Sequence, residues 1–269
     1  MCMRLGIARQ FISILLFSVA AFAQESLPKD IPVLVYHRFD PKISGPTTIT
    51  TATFLSQIAY LSNHGFIIMP LEKVVDVVLD KMPSPPDPIV AITIDDGHRS
   101  VYSVLYPIIK ERHIPVTLFI YPSAISKSPY ALTWDQIREM QASGLVDIQS
   151  HTYWHPDFRK EKAHRSAQDY AAFTDSQLTL SRKKLDAELG IHVDLLAWPY
   201  GIVDNDLEIT ARRTGYRAAF GYDSKLAHLG DDPMEIHRIP ISDSERGATF
   251  GALLIHHQSS EATQHADGK

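Results

Sequence analysis

The stretch Ile89-Val90-Ala91-Ile92-Thr93-Ile94, followed by Asp95-Asp96-Gly97, decides the fold class. Its apolar run is almost continuous, which is typical of a strand buried on both faces of a parallel sheet. Asp-Gly is a common turn pair. The sequence therefore predicts a buried strand over Ile89–Ile94 that ends in a turn carrying two acidic side chains.

Similar apolar runs alternate with helical patterns along the chain. The runs predict further strands at Val33–Tyr36, Val116–Tyr121, Val146–Gln149, Val193–Trp198, Arg217–Phe220 and Ile236–Ile241. Helical spacing of apolar residues appears at Phe54–Leu61, at Leu71–Leu79 and from about Ala163 to Leu189, where Gly190 is a stop signal. This alternation predicts an α/β fold, either a (β/α) barrel or an open doubly wound sheet.

The N-terminal residues 1–23 have the pattern of a secretory signal peptide. Arg4 and Arg9 precede an apolar run from Phe11 to Phe22, and Ala21-Phe22-Ala23 matches an A-x-A cleavage site. The run is too short for a membrane-spanning helix, which needs about 20 residues. We expect a secreted or periplasmic protein with no transmembrane segment after cleavage, a single domain over residues 24–260, and a polar tail over 261–269.

The charge and the cysteine and histidine content of the chain exclude some classes of function and favour others. The net charge is −5 and the basic residues are scattered, which argues against nucleic acid as a partner. The single cysteine, Cys2, lies in the predicted signal peptide, so the exported chain has no disulfide, thiol nucleophile or cysteine metal ligand. Its 13 histidines instead direct attention to imidazole ligands.

Chemistry-bearing residues follow the predicted strands where these end. His37, Asp95-Asp96, His151 and Pro199-Tyr200-Gly201 each come directly after one of the strands. In barrels of parallel strands the active site is built at this rim. We therefore expect these residues to lie near one another.

His151 and His155 are spaced so that, on one helical turn, both imidazoles could reach one cation. Two imidazoles and one carboxylate suit zinc, with cobalt, nickel or iron as alternatives, and leave positions open for water and substrate. Taken alone, the histidines could be a solvated or capping pair, and the aspartates could simply end a strand.

Together these motifs resemble those of the polysaccharide deacetylase (NodB-homology) family. Thr93-Ile94-Asp95-Asp96-Gly97 resembles its T-F-D-D-G motif, His151-Thr152-Tyr153-Trp154-His155 its H-[ST]-x-x-H motif, and Trp198-Pro199-Tyr200-Gly201 its third motif. Pro32–His37, the helix before Gly65 and Arg238–Ile241 resemble the subgroup that deacetylates poly-β-1,6-N-acetylglucosamine in biofilms. The resemblance extends over about residues 31–250.

This resemblance implies a distorted (β/α)7 barrel and a metal-dependent polysaccharide N-deacetylase. The implied metal ligands are Asp96, His151 and His155, holding one divalent ion, with zinc preferred. Asp95 would be the general base, His37 the general acid and the backbone of Tyr200 an oxyanion donor. Residues expected to contact the sugar are Trp198, Pro199, Tyr36 and Trp154. Expected partners are the N-acetylated polysaccharide and an exopolysaccharide export system.

Several alternatives remain open at this point. The family's arginine near the third motif is replaced here by Leu196, Ala197 and Trp198, so the partner of Asp95 is unassigned. Arg238 is a candidate for it but could equally be structural, and His256 is the rival of His37 as the acid. Deacetylation of peptidoglycan, chitin oligomers or acetylxylan, or an inactive glycan-binding module, are the competing functions.

Overall fold

The computed structural model describes residues 30–43 and 45–255 of the 269-residue chain. The predicted signal peptide, the polar tail and His256 lie outside these residues. Within them, no helix combines the length and apolar character needed to cross a membrane.

Strands and helices alternate as the apolar pattern predicts. The strands are β1 Val33–Tyr36, β2 Arg38–Asp40, β3 Thr48–Thr50, β4 Ile67–Ile68, β5 Ile89–Asp95, β6 Val116–Ile120, β7 Val146–Ser150, β8 Leu195–Ala197, β9 Ala218–Phe220 and β10 Ile239–Pro240. The α-helices are α1 Thr51–Asn63, α2 Leu71–Val78, α3 Tyr106–Arg112, α4 Trp134–Ala142, α5 Phe158–Ala163, α6 Ala167–Leu189, α7 Asn205–Arg213 and α8 Ala248–Leu253. A π-helical turn precedes α3 at Val101–Leu105, and a 3-10 turn follows β8 at Pro199–Gly201.

The main sheet has eight parallel strands in the described residues, seven of them in the order β10-β1-β5-β6-β7-β8-β9, and β4 pairs with the start of β5. The segment 236–241, which contains β10, connects β1 with β9. Ile236 donates its N–H to Ala219 of β9 at 2.9 Å, and Ile241 donates to Val35 of β1 at 3.0 Å. Residues 236–241 thus pair with β1 on one side and with β9 on the other, and they close the sheet. The fold is a single-domain distorted (β/α)7 barrel, as predicted, and not an open sheet.

Both faces of the barrel strands are buried. Leu34, Ile92 and Leu118 point into the cluster shared with most of the helices. Their neighbours along the strands, such as Val33 and Phe119, pack in a second cluster to which α2 contributes. Successive side chains of a strand point to opposite faces, so burial of both explains the continuous apolar runs in the sequence.

Some element boundaries differ from the prediction. The long helix expected from about Ala163 begins at Ala167 as α6, because Ser166 caps it by accepting the N–H of Asp169 at 3.1 Å, and Ala163 ends the separate helix α5. The last strand is shorter than predicted, since Ile236 pairs with β9 and only the residues after Arg238 pair with β1. The prediction missed β2, β3 and β4, which are too short to have a readable period.

The strand register brings the polar residues to one end of the barrel. Tyr36 is level with Ile94, Asp95 with Phe119, Ile120 with Ser150, Ser150 with Leu196, and Ala197 with Phe220. The residues that follow these strand ends therefore lie together on one rim of the barrel.

Candidate active site

Two adjacent aspartates diverge at the end of β5. Asp95 is the last residue of the strand and is only 2% exposed. Asp96 and Gly97 both have left-handed backbones, with φ of 75° and 73°, so the chain turns sharply here. A side chain at Gly97 would come within 2.9 Å of Ile120, which explains the need for glycine. The turn keeps Asp95 inside the barrel and leaves Asp96 at the rim.

His151 and His155 converge through a loop and not through the helical turn that the sequence suggested. Thr152 and His155 have left-handed φ values of 63° and 66°, which no α-helical turn contains. The loop is held by the N–H of His155, which donates to Thr152 Oγ1 at 3.2 Å. The imidazole centroids lie 4.6 Å apart. The prediction that the two rings meet is correct, but its structural reason was wrong.

Asp96, His151 and His155 offer three ligand atoms that all lie within 4.8 Å of one another. The Asp96 carboxylate oxygen is 3.8 Å from Nε2 of His151 and 3.6 Å from Nε2 of His155. Donors about 2.1 Å from one tetrahedral ion would be separated by about 3.4 Å. These separations are too long for hydrogen bonds and suit ligands that share a cation.

The protonation chemistry of the imidazoles also fits a cation. Nδ1 of His151 is 2.8 Å from the carbonyl oxygen of Ala197, so that nitrogen carries the proton and Nε2 is free to ligate. Burial, reinforced by the adjacent His151, lowers the pKa of His155 to about 4. Metal ligation needs neutral imidazole, and the site favours it. Asp96, His151 and His155 therefore form a candidate site for a divalent metal.

Asp95 is held by a buried arginine. Arg238 is fully buried and donates to both carboxylate oxygens of Asp95, at 2.9 and 2.8 Å. It also donates to the carbonyl of Gly221 at 2.9 Å and to Thr93 Oγ1 at 3.1 Å, and it lies over the ring of Phe119. Burial is the largest single influence and would raise the pKa of Asp95. The charge and hydrogen bonds of Arg238, together with the nearby His151 and His37, outweigh it and lower that pKa to about 2.

Arg238 is thus the partner of Asp95 that the third motif does not provide. The sequence contained a signal for this pairing, because Arg238 stands within an apolar strand segment. An arginine that is buried with its strand needs an anionic partner.

His37 lies beside Asp95 on the neighbouring strand. Since Tyr36 pairs with Ile94, His37 and Asp95 leave β1 and β5 at the same level. The imidazole packs edge-to-face on Tyr222, with ring centroids 5.8 Å apart. Burial lowers the pKa of His37, and the charges of Asp95 and Asp96 oppose this effect.

The ring of Tyr200 packs edge-to-face against the metal donor His155. Its ring centroid is 4.6 Å from that of His155, and 62% of the residue is exposed. Its backbone is left-handed, with φ of 57°. The following Gly201 packs against Tyr222, leaving no room for a side chain.

Three of the four residues predicted to contact sugar are buried. Tyr36 is 0% exposed and donates to Gln57 at 3.0 Å, while Trp198 is 1% exposed and donates its indole N–H to Met234 at 2.8 Å. Pro199 is buried as well. The prediction was wrong for these residues, because their rings pack in the core. Trp154, which is 42% exposed, remains available to a ligand.

Taken together, the rim is a candidate metal centre with a separate, buried carboxylate and an imidazole beside it. The chain belongs to the polysaccharide deacetylase family, which matches residues 83–219. The predictions of this family and of a polysaccharide deacetylase enzyme are therefore confirmed.

Comparisons with individual proteins agree with this family. The poly-beta-1,6-N-acetyl-D-glucosamine N-deacetylase of Staphylococcus aureus (strain MRSA252) is 24% identical over 200 residues, covering 73% of this chain and 68% of that protein. The Streptococcus pyogenes deacetylase PplD, solved in complex with acetate, superposes with a TM-score of 0.75 at 21% identity over 86% of this chain and 100% of that one. IcaB from Ammonifex degensii gives a TM-score of 0.72 at 24% identity over 84% and 97%. The two solved structures share the fold described above.

The geometry predicts different effects on metal content for the two aspartates. Asp96→Asn should weaken divalent-metal affinity by at least about tenfold, because a ligand charge is lost. Asp95→Asn should keep nearly full metal content, because its carboxylate is engaged by Arg238. Elemental analysis of both purified variants after equilibration with limiting zinc measures this. A metal loss confined to Asp95→Asn would reverse the assignment.

The buried pair predicts non-additive stability effects. Arg238→Met should destabilise the metal-free protein by about 3–5 kcal/mol, because it leaves the Asp95 charge buried without a partner. Adding Asp95→Asn should recover part of this loss. Urea unfolding of wild type, both single variants and the double variant gives the coupling energy. Additive losses would show that the pair contributes no coupling to stability.

Proposed function

We propose that this enzyme removes N-acetyl groups from an exopolysaccharide of the poly-β-1,6-N-acetylglucosamine type. The observation that carries the proposal is the parallel register of β1 and β5. In this register His37 lies beside Asp95 and next to the metal donors. Amide hydrolysis needs both a group that accepts a proton and a group that protonates the departing amine. The name of the S. aureus relative supports the choice of glycan.

Asp96, His151 and His155 would hold the divalent ion, and zinc suits two imidazoles and one carboxylate best. When bound, such an ion lowers the pKa of water toward neutrality and polarises a carbonyl oxygen.

Asp95 would accept the proton of the attacking water. Arg238 occupies one lone pair on each carboxylate oxygen and leaves others free to accept. Against the effect of burial, the same arginine and the nearby His151 and His37 lower the pKa of Asp95 to about 2, which makes it a weak base. The advantage is positional, because the carboxylate is ionised near neutral pH and is oriented by both hydrogen bonds from Arg238.

His37 would protonate the amine as the C–N bond breaks. Burial makes its imidazolium a stronger acid, while the charges of Asp95 and Asp96 help it to take up a proton. The backbone N–H of Tyr200, in its left-handed turn next to His155, would stabilise the negative charge on the acetyl oxygen. Donors of this type contribute about 3 kcal/mol to the transition state.

Other acetylated glycans are the competing substrates. Peptidoglycan and chitin oligomers carry the same acetamide, whereas acetylxylan carries an ester whose alcohol leaves more readily. A catalytically inactive glycan-binding module is the third alternative, and the complete set of Asp95, Asp96, His37, His151 and His155 argues against it. The presence of an acid beside the base favours an amide substrate.

The site of action is proposed from the sequence. The signal-peptide pattern of residues 1–23 supports export to the periplasm or the outside. An exopolysaccharide made in the same envelope would meet the enzyme there, and an association with its export system would follow.

The substrate proposal predicts a ranking of acetylated glycans. With zinc supplied, purified enzyme should release amines from β-1,6-linked N-acetylglucosamine oligomers faster than from chitin oligomers or peptidoglycan. It should release little acetate from acetylxylan. Chelation should abolish the activity and zinc should restore it. Equal or greater rates on another glycan would reassign the substrate, and no release from any of them would favour the binding module.

The acid assignment predicts substrate-dependent losses. His37→Ala should lose about 10²- to 10⁴-fold in turnover on the glycan, where the amine needs a proton. It should lose far less on an activated acetyl ester, whose leaving group needs none, and should keep its metal. His256→Ala is the matched comparison and should resemble wild type. If His256→Ala is crippled on the glycan while His37→Ala is active, the acid is His256.

A further inference from the structure

Tyr130 presents a fixed aromatic ring on the rim of the barrel. The residue is 41% exposed, yet its hydroxyl is 2.9 Å from that of Tyr121. Its ring stacks on His98 at 10° from parallel, with centroids 6.5 Å apart. The ring of Tyr130 therefore lies beside that of His98, and its hydroxyl is held by a hydrogen bond.

The loop that carries Tyr130 is fastened to both turns of the metal site. Arg99 donates its N–H to Tyr130 at 2.7 Å, and Leu132 donates to Gly97 at 2.9 Å. At its other end, Ser123 donates to Tyr153 between the two ligand histidines, at 3.1 Å. The backbone of the loop that carries Tyr130 is thus tied to the turns that carry Asp96, His151 and His155.

Tyr130 lies beside the metal donors and not over them. Tyr121 stands between, with its ring 5.4 Å from that of His155 and its hydroxyl on that of Tyr130. An acetyl group at the donors would belong to a sugar that contacts Tyr121 and Tyr200. The exposed ring of Tyr130 comes next along the rim after Tyr121.

We propose that Tyr130 is a stacking platform for a sugar next to the one that is deacetylated, and that it makes the enzyme prefer oligomers. This rests on the proposed N-deacetylase function. The C–H face of a pyranose packs well on the electron-rich face of an aromatic ring. A ring that is already immobile loses little conformational entropy when the sugar binds.

The test compares substrate lengths. Rates of amine release are measured on β-1,6-linked N-acetylglucosamine oligomers from the dimer to the pentamer, with zinc-loaded wild type, Tyr130→Ala and Tyr130→Phe. Ile67→Ala is the control, since Ile67 is 44% exposed and pairs at the start of β5, away from the rim. Metal content of each protein is measured in parallel.

For wild type, kcat/KM should rise with length. Tyr130→Ala should lose about three- to tenfold on the longest oligomers, mainly through KM, and little on the dimer. Tyr130→Phe should keep most of the rise, because the ring remains, and the control should match wild type.

Equal losses at every length, or loss of metal in Tyr130→Ala, would overturn the platform and make Tyr130 a structural support of the loop. An unchanged Tyr130→Ala, or a wild type indifferent to length, would also overturn it. In all these cases the wild type still releases amines. A wild type that releases none overturns the proposed function, and the platform with it.

Discussion

The ion pair between Asp95 and Arg238 is the interaction on which both the fold and the site depend. The two residues are 143 positions apart and almost fully buried. Neither charge is tolerable in the core alone, because removing one partner leaves the other unsolvated. The segment that closes the barrel must therefore bring Arg238 to the end of β5. The same contact that satisfies the core orients the carboxylate beside the metal donors.

Much of this arrangement was predictable from strand ends. Buried parallel strands are readable as apolar runs, and their C-terminal ends must meet on one rim, so Asp95, Asp96, His151 and His37 could be grouped without coordinates. The pairing of Arg238 with Asp95 could not be assigned from the sequence, because the two residues are distant in the chain and no local pattern links them. Trp198 and Trp154 both lie in motifs that follow strand ends, yet Trp198 is buried and Trp154 is exposed, since burial depends on how the chain turns after each strand.

The backbone conformations of the site could not be predicted from residue types. Asp96, Thr152, His155 and Tyr200 all have positive φ values, which non-glycine residues adopt at an energetic cost. Helical spacing suggested that the histidines meet on a helical turn, whereas the loop achieves it through two left-handed residues. In this loop the N–H of His155 donates to Thr152 Oγ1, and this bond helps to hold the left-handed conformation.

Closure of the barrel by residues 236–241 has a consequence for biogenesis. β1 is the first barrel strand to be synthesised, but its partner β10 comes from the far end of the described chain. Until that segment has emerged, β1 has an unpaired edge and Asp95 lacks its counter-ion, which is the condition in which nascent chains aggregate. Pairings this distant in sequence also form slowly. A protein built this way gains the geometry of its site only after residues 236–241 have been translated, because these residues bring Arg238 to Asp95.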